Sequence, residues 1–465
     1  MKFNSLGFIF AFLPLVLFGW RVFPGRRPRL VFMTAASYLF YWFAAGPYAS
    51  LMLLTTTADF TVGLLLEHAD TLPLDDASRT RRRKLILFVS LAANLGLLSF
   101  FKYWTFFVDS VNAIAGTSSP LVRSTLNIVL PAGISFYTFQ SMGYSIDVYR
   151  REIRASRNFL EFAAFVSLFP QLIAGPIVRP KVLLPQLATD DPVDGSKLTS
   201  GVFLFACGLS KKVLVADRLS FFADPILNAP RAHGAADLWL AMIGFSLQIY
   251  FDFSGYSDMA RGLARMLGLE FSINFDSPYH ADSPSDFWKR WHVSLSSWLR
   301  DYLYIPLGGN RKGKSRTGVN LFITMLLGGL WHGAGANFLL WGALHGALLL
   351  VYHRMEKPWA ALPLLVRRIA MVVLIVLTWV PFRMHSARDL AAFARGAVRF
   401  GAHVGAPWQL LAFCVLGAGL AALPVNSNRI RWGDLAWPKV VGLAFVTLLA
   451  ILHLNLSSKF LYFQF

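Results

Sequence analysis

Apolar residues come in long runs along this chain, and the runs have the length of bilayer-crossing helices rather than the short period of half-buried strands. A helix needs about 17 to 25 predominantly apolar residues to cross roughly 30 Å of hydrocarbon. The runs that answer to this are Leu6 to Trp20, Leu30 to Ala45, Tyr48 to Leu66, Leu85 to Val108, Leu126 to Val148, Ser200 to Phe222, Leu238 to Leu267, Val319 to Trp331, Asn337 to Tyr352, Ile369 to Phe382, Trp408 to Leu423 and Val440 to Leu456. The pattern predicts an all-α, polytopic membrane protein with about 11–12 transmembrane helices, some of them tilted, broken or re-entrant. Residues 1–465 read as one integral membrane domain, with its core motifs in residues 126–352.

Two stretches break the simple picture. Phe159 to Pro185 carries Pro170, Gly175, Pro176, Pro180 and Pro185 within apolar sequence, so it cannot form one straight helix. Irregular backbone at membrane depth is tolerated only inside protein or beside a cavity. Ser283 to Leu303 opens with Ser283 as an N-cap, Pro284 at the first helical position and Asp286 in the first turn. Projected as a helix, Phe287, Trp288, Trp291, Leu295, Trp298, Leu299, Tyr302 and Leu303 fall on one side. Lys289, Arg290, Ser294, Ser296, Ser297, Arg300 and Asp301 fall on the other. This predicts an amphipathic interfacial helix that does not span, with His292 on its apolar side.

Composition agrees with the pattern. The chain is 55% hydrophobic and only 15% charged, with mean hydropathy +0.51, too apolar for an ordinary soluble enzyme of 465 residues. Its net charge of +19 sits in short tracts between apolar runs, with no soluble basic domain to hold a duplex, so no nucleic-acid partner is expected. The charge sets topology instead. Arg21 to Arg29, Arg79 to Lys84 and Arg150 to Arg157 alternate with the spans, against only Arg123 in the loop Asp109 to Thr125, which puts those tracts in the cytoplasm and the N-terminus outside. The loop Arg311 to Arg316, the turn Arg354 to Lys357 and Arg429 to Arg431 then lie inside, and the C-terminus outside. Phe460 to Phe465 reads as interfacial aromatics. Cys207 and Cys414 lie far apart in apolar segments without redox or metal spacing.

The chemistry-bearing candidates are few. His332, in Trp331-His332-Gly333, ends an apolar run that follows the basic loop. An imidazole with an unperturbed pKa of about 6.5 is a natural proton acceptor or donor, although such a ring can also simply bond a carbonyl. Gly328, Gly329 and Gly333 around it permit close backbone approach. His345, between Gly342 and Gly346, fits ordinary tight helix packing, and the remaining histidines read as solvated or structural. A carboxylate at mid-helix costs about 2.5 to 3.5 kcal/mol on insertion scales, so Asp59 and Asp252 need partners. Asp59 reads as a packing hydrogen-bonder. Asp252 could orient a histidine, bind an acceptor hydroxyl, or pair with Arg261 or Arg265. No Walker, zincin or nucleophile-elbow motif is present, and no resident metal is expected.

These residues carry a resemblance. Leu130 to Gln140, Phe169 to Ile177, Phe251 to Ala260, Phe287 to Ser296, Tyr304 to Asn310 and Leu330 to Gly333 together resemble the bacterial membrane-bound O-acyltransferases, over nearly the whole chain. The resemblance implies a helical bundle around a central tunnel, in which His332 is the essential catalytic residue and His292 its companion. For the alginate-type members it implies that acetyl is taken from cytoplasmic acetyl-CoA and passed to the far side of the bacterial inner membrane for attachment to an exported polysaccharide. A separate periplasmic acetyltransferase with a Ser nucleophile commonly completes the transfer.

Acyl transfer from a thioester needs a base for the attacking hydroxyl or a nucleophile to carry the acyl group, and His332 can serve as either. His292 could hold the acceptor or stabilise the developing oxyanion, with Trp331 and Trp288 packed nearby to exclude water. Arg179, Lys181, Lys211, Lys212, Arg311, Lys312 and Lys314 are the cations available for CoA phosphates, against plain positive-inside topology. Peptidoglycan, a teichoic-acid carrier or a membrane lipid are the other acceptors to weigh. A proton-coupled transporter or flippase is the reading of a different class, and no self-similar halves support it.

Overall fold

The computed structural model describes residues 1–115, 128–190, 194–400, 405–430, 433, 435–456 and 460–461, and among them there is no strand. The helices in chain order are α1 (Leu13–Val22), α2 (Arg26–Ala45), α3 (Ala49–Thr71), α4 (Asp76–Ala115), α5 (Ile134–Tyr149), α6 (Phe159–Ser167), α7 (Phe169–Leu172), α8 (Pro180–Leu187), α9 (Gly195–Ser210), α10 (Asp217–Asn228), α11 (Ala235–Met266), α12 (Pro284–Arg290), α13 (Val293–Leu299), α14 (Gly313–His332), α15 (Ala336–Arg354), α16 (Glu356–Ala360), α17 (Leu364–Arg383), α18 (Ala387–Gly396), α19 (Trp408–Ala421) and α20 (Trp437–Leu452). Five stretches are long and apolar enough to cross a membrane outright: Arg26–Thr71, Asp76–Asn112, Gly195–Asn228, Ala336–Arg354 and Leu364–Arg383. The chain is all-α and polytopic, as its hydropathy pattern predicts.

Within the single expected domain the structure gathers into two compact units, Met1–Gly201 with Leu263–Ser272, and Val202–Gly262 with Ile273–Phe465.

The first unit is built on α2 to α6. Asp59 of α3 is buried and accepts hydrogen bonds from Ser90 Oγ at 2.9 Å and from Asn94 Nδ2 at 3.0 Å, both on α4. Neutral donors therefore satisfy this carboxylate, in the packing role its sequence context suggests. Gly63 lets Tyr144 of α5 approach α3 closely, since a Cβ there would lie 2.4 Å from the tyrosine hydroxyl. The span expected from Leu126 begins only at Ile134: Pro131 precedes it, and Gly133 turns the chain at φ 76°. Leu126 itself, with Arg123, lies outside the described residues. The proline-rich stretch is broken, as expected, into α6, α7 and α8. The backbone carbonyl of Phe165 near the first break receives two side-chain amides, from Gln140 at 2.6 Å and Gln171 at 2.7 Å.

The second unit holds both histidines of interest. Its centre is the α14–α15 hairpin, where Gly329 faces the Phe338 carbonyl and Gly342 faces that of Met325, at distances that leave no room for a Cβ. The basic segment Arg311 to Arg316 is a loop only as far as Lys312, because α14 begins at Gly313. His332 is the last residue of that helix. Nineteen rises of 1.5 Å separate the two ends, about 28 Å or nearly the hydrocarbon thickness. The basic cluster and the histidine therefore stand at opposite ends of one helix.

Candidate active site

The segment Ser283 to Leu303 does not form the continuous interfacial helix its periodicity predicts. Ser283 does cap α12, its Oγ accepting from Asp286 N–H at 3.2 Å. After Arg290 the helix stops, and His292 adopts left-handed backbone at φ 44° and ψ 52° before α13 begins. Asn274, from the loop after α11, imposes the break. Its backbone carbonyl accepts from Val293 N–H at 2.9 Å, and its Oδ1 accepts from Ser294 N–H at 3.2 Å and Ser294 Oγ at 2.9 Å. These bonds serve donors that a continuous helix would have paired internally. Because the segment folds inward, His292 is fully buried.

Asn274 also sets the chemistry of the ring. Its Oδ1 lies 3.1 Å from His292 Nδ1, while its Nδ2 donates to Ser257 Oγ on α11 at 3.1 Å. A carbonyl oxygen can only accept, so Nδ1 carries the proton and Nε2 presents a lone pair. That Nε2 is buried and meets no hydrogen-bond partner among the described residues. In this tautomer Nε2 can accept a hydrogen bond and cannot donate one. Of the two roles open from sequence, holding the acceptor fits and donating to an oxyanion does not.

His332 approaches from α14, with ring centroids 6.4 Å apart. It sits edge-on to Trp331 at 5.1 Å, Trp341 at 5.0 Å and Phe382 at 5.6 Å. Gly333 allows this, since a Cβ there would collide with the Phe338 ring at 2.1 Å. His332 lines a narrow cavity with Asp252, Phe253, Trp291, Trp379 and Phe382. His292 flanks that cavity through Phe253, whose ring it meets at 4.7 Å. Trp331 touches both histidines, at 5.9 Å from His292. Trp288 is one ring further out, packed on Trp341 and on His345 at 5.0 Å. His345 is buried in that aromatic shell, 4.7 Å from Trp341, and does not line the cavity.

Asp252 pairs with neither of the arginines that its sequence neighbourhood offers. It pairs with Lys212 at 2.5 Å, and Lys212 also binds Asp217 at 2.6 Å, with all three side chains almost wholly buried. Arg261 instead meets Asn428, and Arg265 meets Glu270. The neighbouring Lys211 binds Asp258 at 2.7 Å and Ser427 Oγ at 2.7 Å. Lys211 and Lys212 therefore neutralise buried carboxylates. Both open a π-helical turn, Lys211–Ala216, that abuts α11 where Gly208 and Gly255 pack backbone to backbone. The available signal was two adjacent lysines in one apolar run and two aspartates in another.

The other cationic candidates lie elsewhere. Arg311 and Lys312 are exposed at the far end of α14, and half-buried Arg179 and exposed Lys181 belong to the first unit, Lys181 lying 3.9 Å from Glu152. Phe460 and Leu461, expected as interfacial aromatic sequence, are instead buried and line the His332 cavity. Leu461 N–H donates to Asp252 at 2.7 Å, so the carboxylate ties this segment to the cavity wall. Tyr462 to Phe465 lie outside the described residues.

Comparison with known proteins identifies the family. Residues 93–384 match the model of the membrane-bound O-acyltransferase family, a range that holds His292, His332, Asn274 and Asp252. The chain is 39% identical to the probable alginate O-acetylase AlgI of Pseudomonas putida over 100% of both chains. It is 41% identical to the probable alginate O-acetylase AlgI of Pseudomonas syringae pv. tomato, over 94% of this chain and 81% of that protein. The peptidoglycan O-acetyltransferase of Helicobacter pylori is 35% identical over 86% of this chain and 80% of its own. A family match over most of this polytopic helical chain, with relatives of such identity and coverage, places the protein in the membrane-bound O-acyltransferase family, as a multi-pass membrane O-acyltransferase.

Proposed function

We propose that this chain transfers acetyl from cytoplasmic acetyl-CoA across the bacterial inner membrane for O-acetylation of an extracytoplasmic, alginate-like polysaccharide. The observation that carries the reading is the His332–His292 pair, 6.4 Å apart beside one narrow cavity and of fixed tautomer at His292. His332 takes the proton of the attacking hydroxyl as its oxygen bonds to the acetyl carbonyl carbon. The C–S bond then breaks, and the CoA thiolate leaves with that proton. His292 Nε2 accepts a hydrogen bond from a second donor group of the acceptor and so orients it. The aromatic shell keeps water from hydrolysing the thioester.

The separation of Arg311 and Lys312 from His332 by the length of α14 supports a donor side and an acceptor side at opposite membrane faces. Positive-inside bias makes the basic end cytoplasmic and both termini periplasmic. A periplasmic acetyltransferase with a Ser nucleophile is the partner expected to complete the transfer.

The test is His332→Ala in cells that export the polysaccharide. Its acetyl content should fall by about 10²- to 10⁴-fold, the usual worth of a positioned acid–base group, while the protein remains in the membrane fraction. Undiminished acetylation would sink the proposal. The Helicobacter pylori relative favours a second acceptor, peptidoglycan. Mass spectrometry of both polymers, with and without this protein, separates the two.

A further inference from the structure

Away from the histidine cavity, a second concavity opens on the second unit where α11, α17 and α19 meet. Ile243, Val372, Val376 and Ala418 form its apolar walls, and Ile243 and Val372 remain 41% and 37% exposed. Arg368 and His280 also line it, and among the described residues no carboxylate does. Arg368 stands one turn before Val372 and two before Val376 on α17, so the charge lies at one end of the apolar strip. Eight helical rises from Arg368 to Val376 cover about 12 Å, most of the roughly 15 Å depth of one leaflet's hydrocarbon.

The charge of this end is not spent within the protein. Arg367, the adjacent residue, is held by Asp282 at 2.9 Å. Arg368 and the half-buried His280 side chain have no hydrogen-bond or ion-pair partner among the described residues. Tyr279 is fixed by Ser246 at 2.8 Å, which holds His280 at the groove mouth. An apolar slot of leaflet depth that ends in an arginine and an imidazole matches one occupant in a bilayer, because a long basic side chain near a helix end reaches towards the headgroup layer.

We propose that this groove binds a membrane phospholipid with an anionic headgroup, one acyl chain lying along the apolar wall and the phosphate held by Arg368 and His280. The site is independent of the transferase reading and uses none of its residues.

The test is native mass spectrometry of the purified full-length protein, delipidated and then offered phosphatidylglycerol or phosphatidylcholine. The wild-type protein should retain phosphatidylglycerol preferentially. Arg368→Gln combined with His280→Gln should lower that retention about five-fold or more and leave phosphatidylcholine little changed, since one arginine near the surface contributes about five-fold and the histidine adds a hydrogen bond. Ala418→Phe, which fills the slot and keeps Arg368 and His280, should lower retention of both lipids. Thermal unfolding in detergent alone checks that each variant is folded, and Ala418→Phe keeps the proposal testable if the charge variant is not. An unchanged preference in the double variant, undiminished binding in Ala418→Phe, or retention of a polyprenyl phosphate but not of phosphatidylglycerol would overturn it.

Discussion

The backbone breaks twice inside apolar sequence, and the two breaks resolve their polar groups in different ways. Near the break after α6, the Phe165 carbonyl is covered by the amides of Gln140 and Gln171, groups that do not titrate near neutral pH. At the break between α12 and α13, Asn274 takes the backbone donors and also fixes a histidine with its lone pair unengaged among the described residues. Both devices satisfy backbone groups that an interrupted helix leaves without an internal partner. Only the second leaves a base behind. Irregular backbone thus marks architecture or chemistry according to what satisfies it, and the sequence alone marks only the first break, where prolines forbid a helix.

Substitutions can break or sharpen this contrast. His332→Ala sets the upper bound already given. Asn274→Ala comes next: it frees His292 to rotate, and a misplacement of about 1 Å can cost about 10²-fold in turnover. Asn274→Asp, which retains an accepting oxygen, should recover part of the loss in acetyl transfer measured per folded molecule. Equal rates in the two variants would reduce Asn274 to a structural residue.

A third effect should appear in stability first. Lys212→Met strands two buried carboxylates and should cost about 3 to 5 kcal/mol, read as loss of folded protein by thermal unfolding in detergent. Adding Asp217→Asn and Asp252→Asn should restore much of it. No recovery would show that Lys212 does more than neutralise the pair. The smallest effect belongs to the first break. Gln140→Ala leaves the Phe165 carbonyl its bond from Gln171, so it should cost about 1 kcal/mol of stability and leave turnover per folded molecule unchanged. A collapse in turnover there would erase the distinction between the breaks.

Much of the fold was legible because membrane helices declare themselves by length and hydropathy. The starts of α2, α15 and α17 fall within a few residues of the apolar runs, and the proline-rich break falls where prolines forbid a helix. Ser283 was legible as a cap because capping is local. The amphipathic projection of Ser283 to Leu303 failed because Asn274, from outside the segment, competes for its backbone donors. The partners of Lys211 and Lys212 were illegible for a similar reason: a lysine in an apolar run looks like a topology charge until its carboxylate partner on another helix is seen.

The sequence by itself determined that the chain is helical and membrane-embedded, and it singled out His332 and His292 through their motifs. Tertiary structure decided how close the two rings come, which nitrogen of His292 carries the proton, that Lys212 answers Asp252, and that Phe460 and Leu461 reach the cavity. The division has a physical basis. Hydropathy and capping act over one or two helical turns, whereas a tautomer, a buried ion pair and a cavity wall depend on groups 18 to 209 residues apart in sequence.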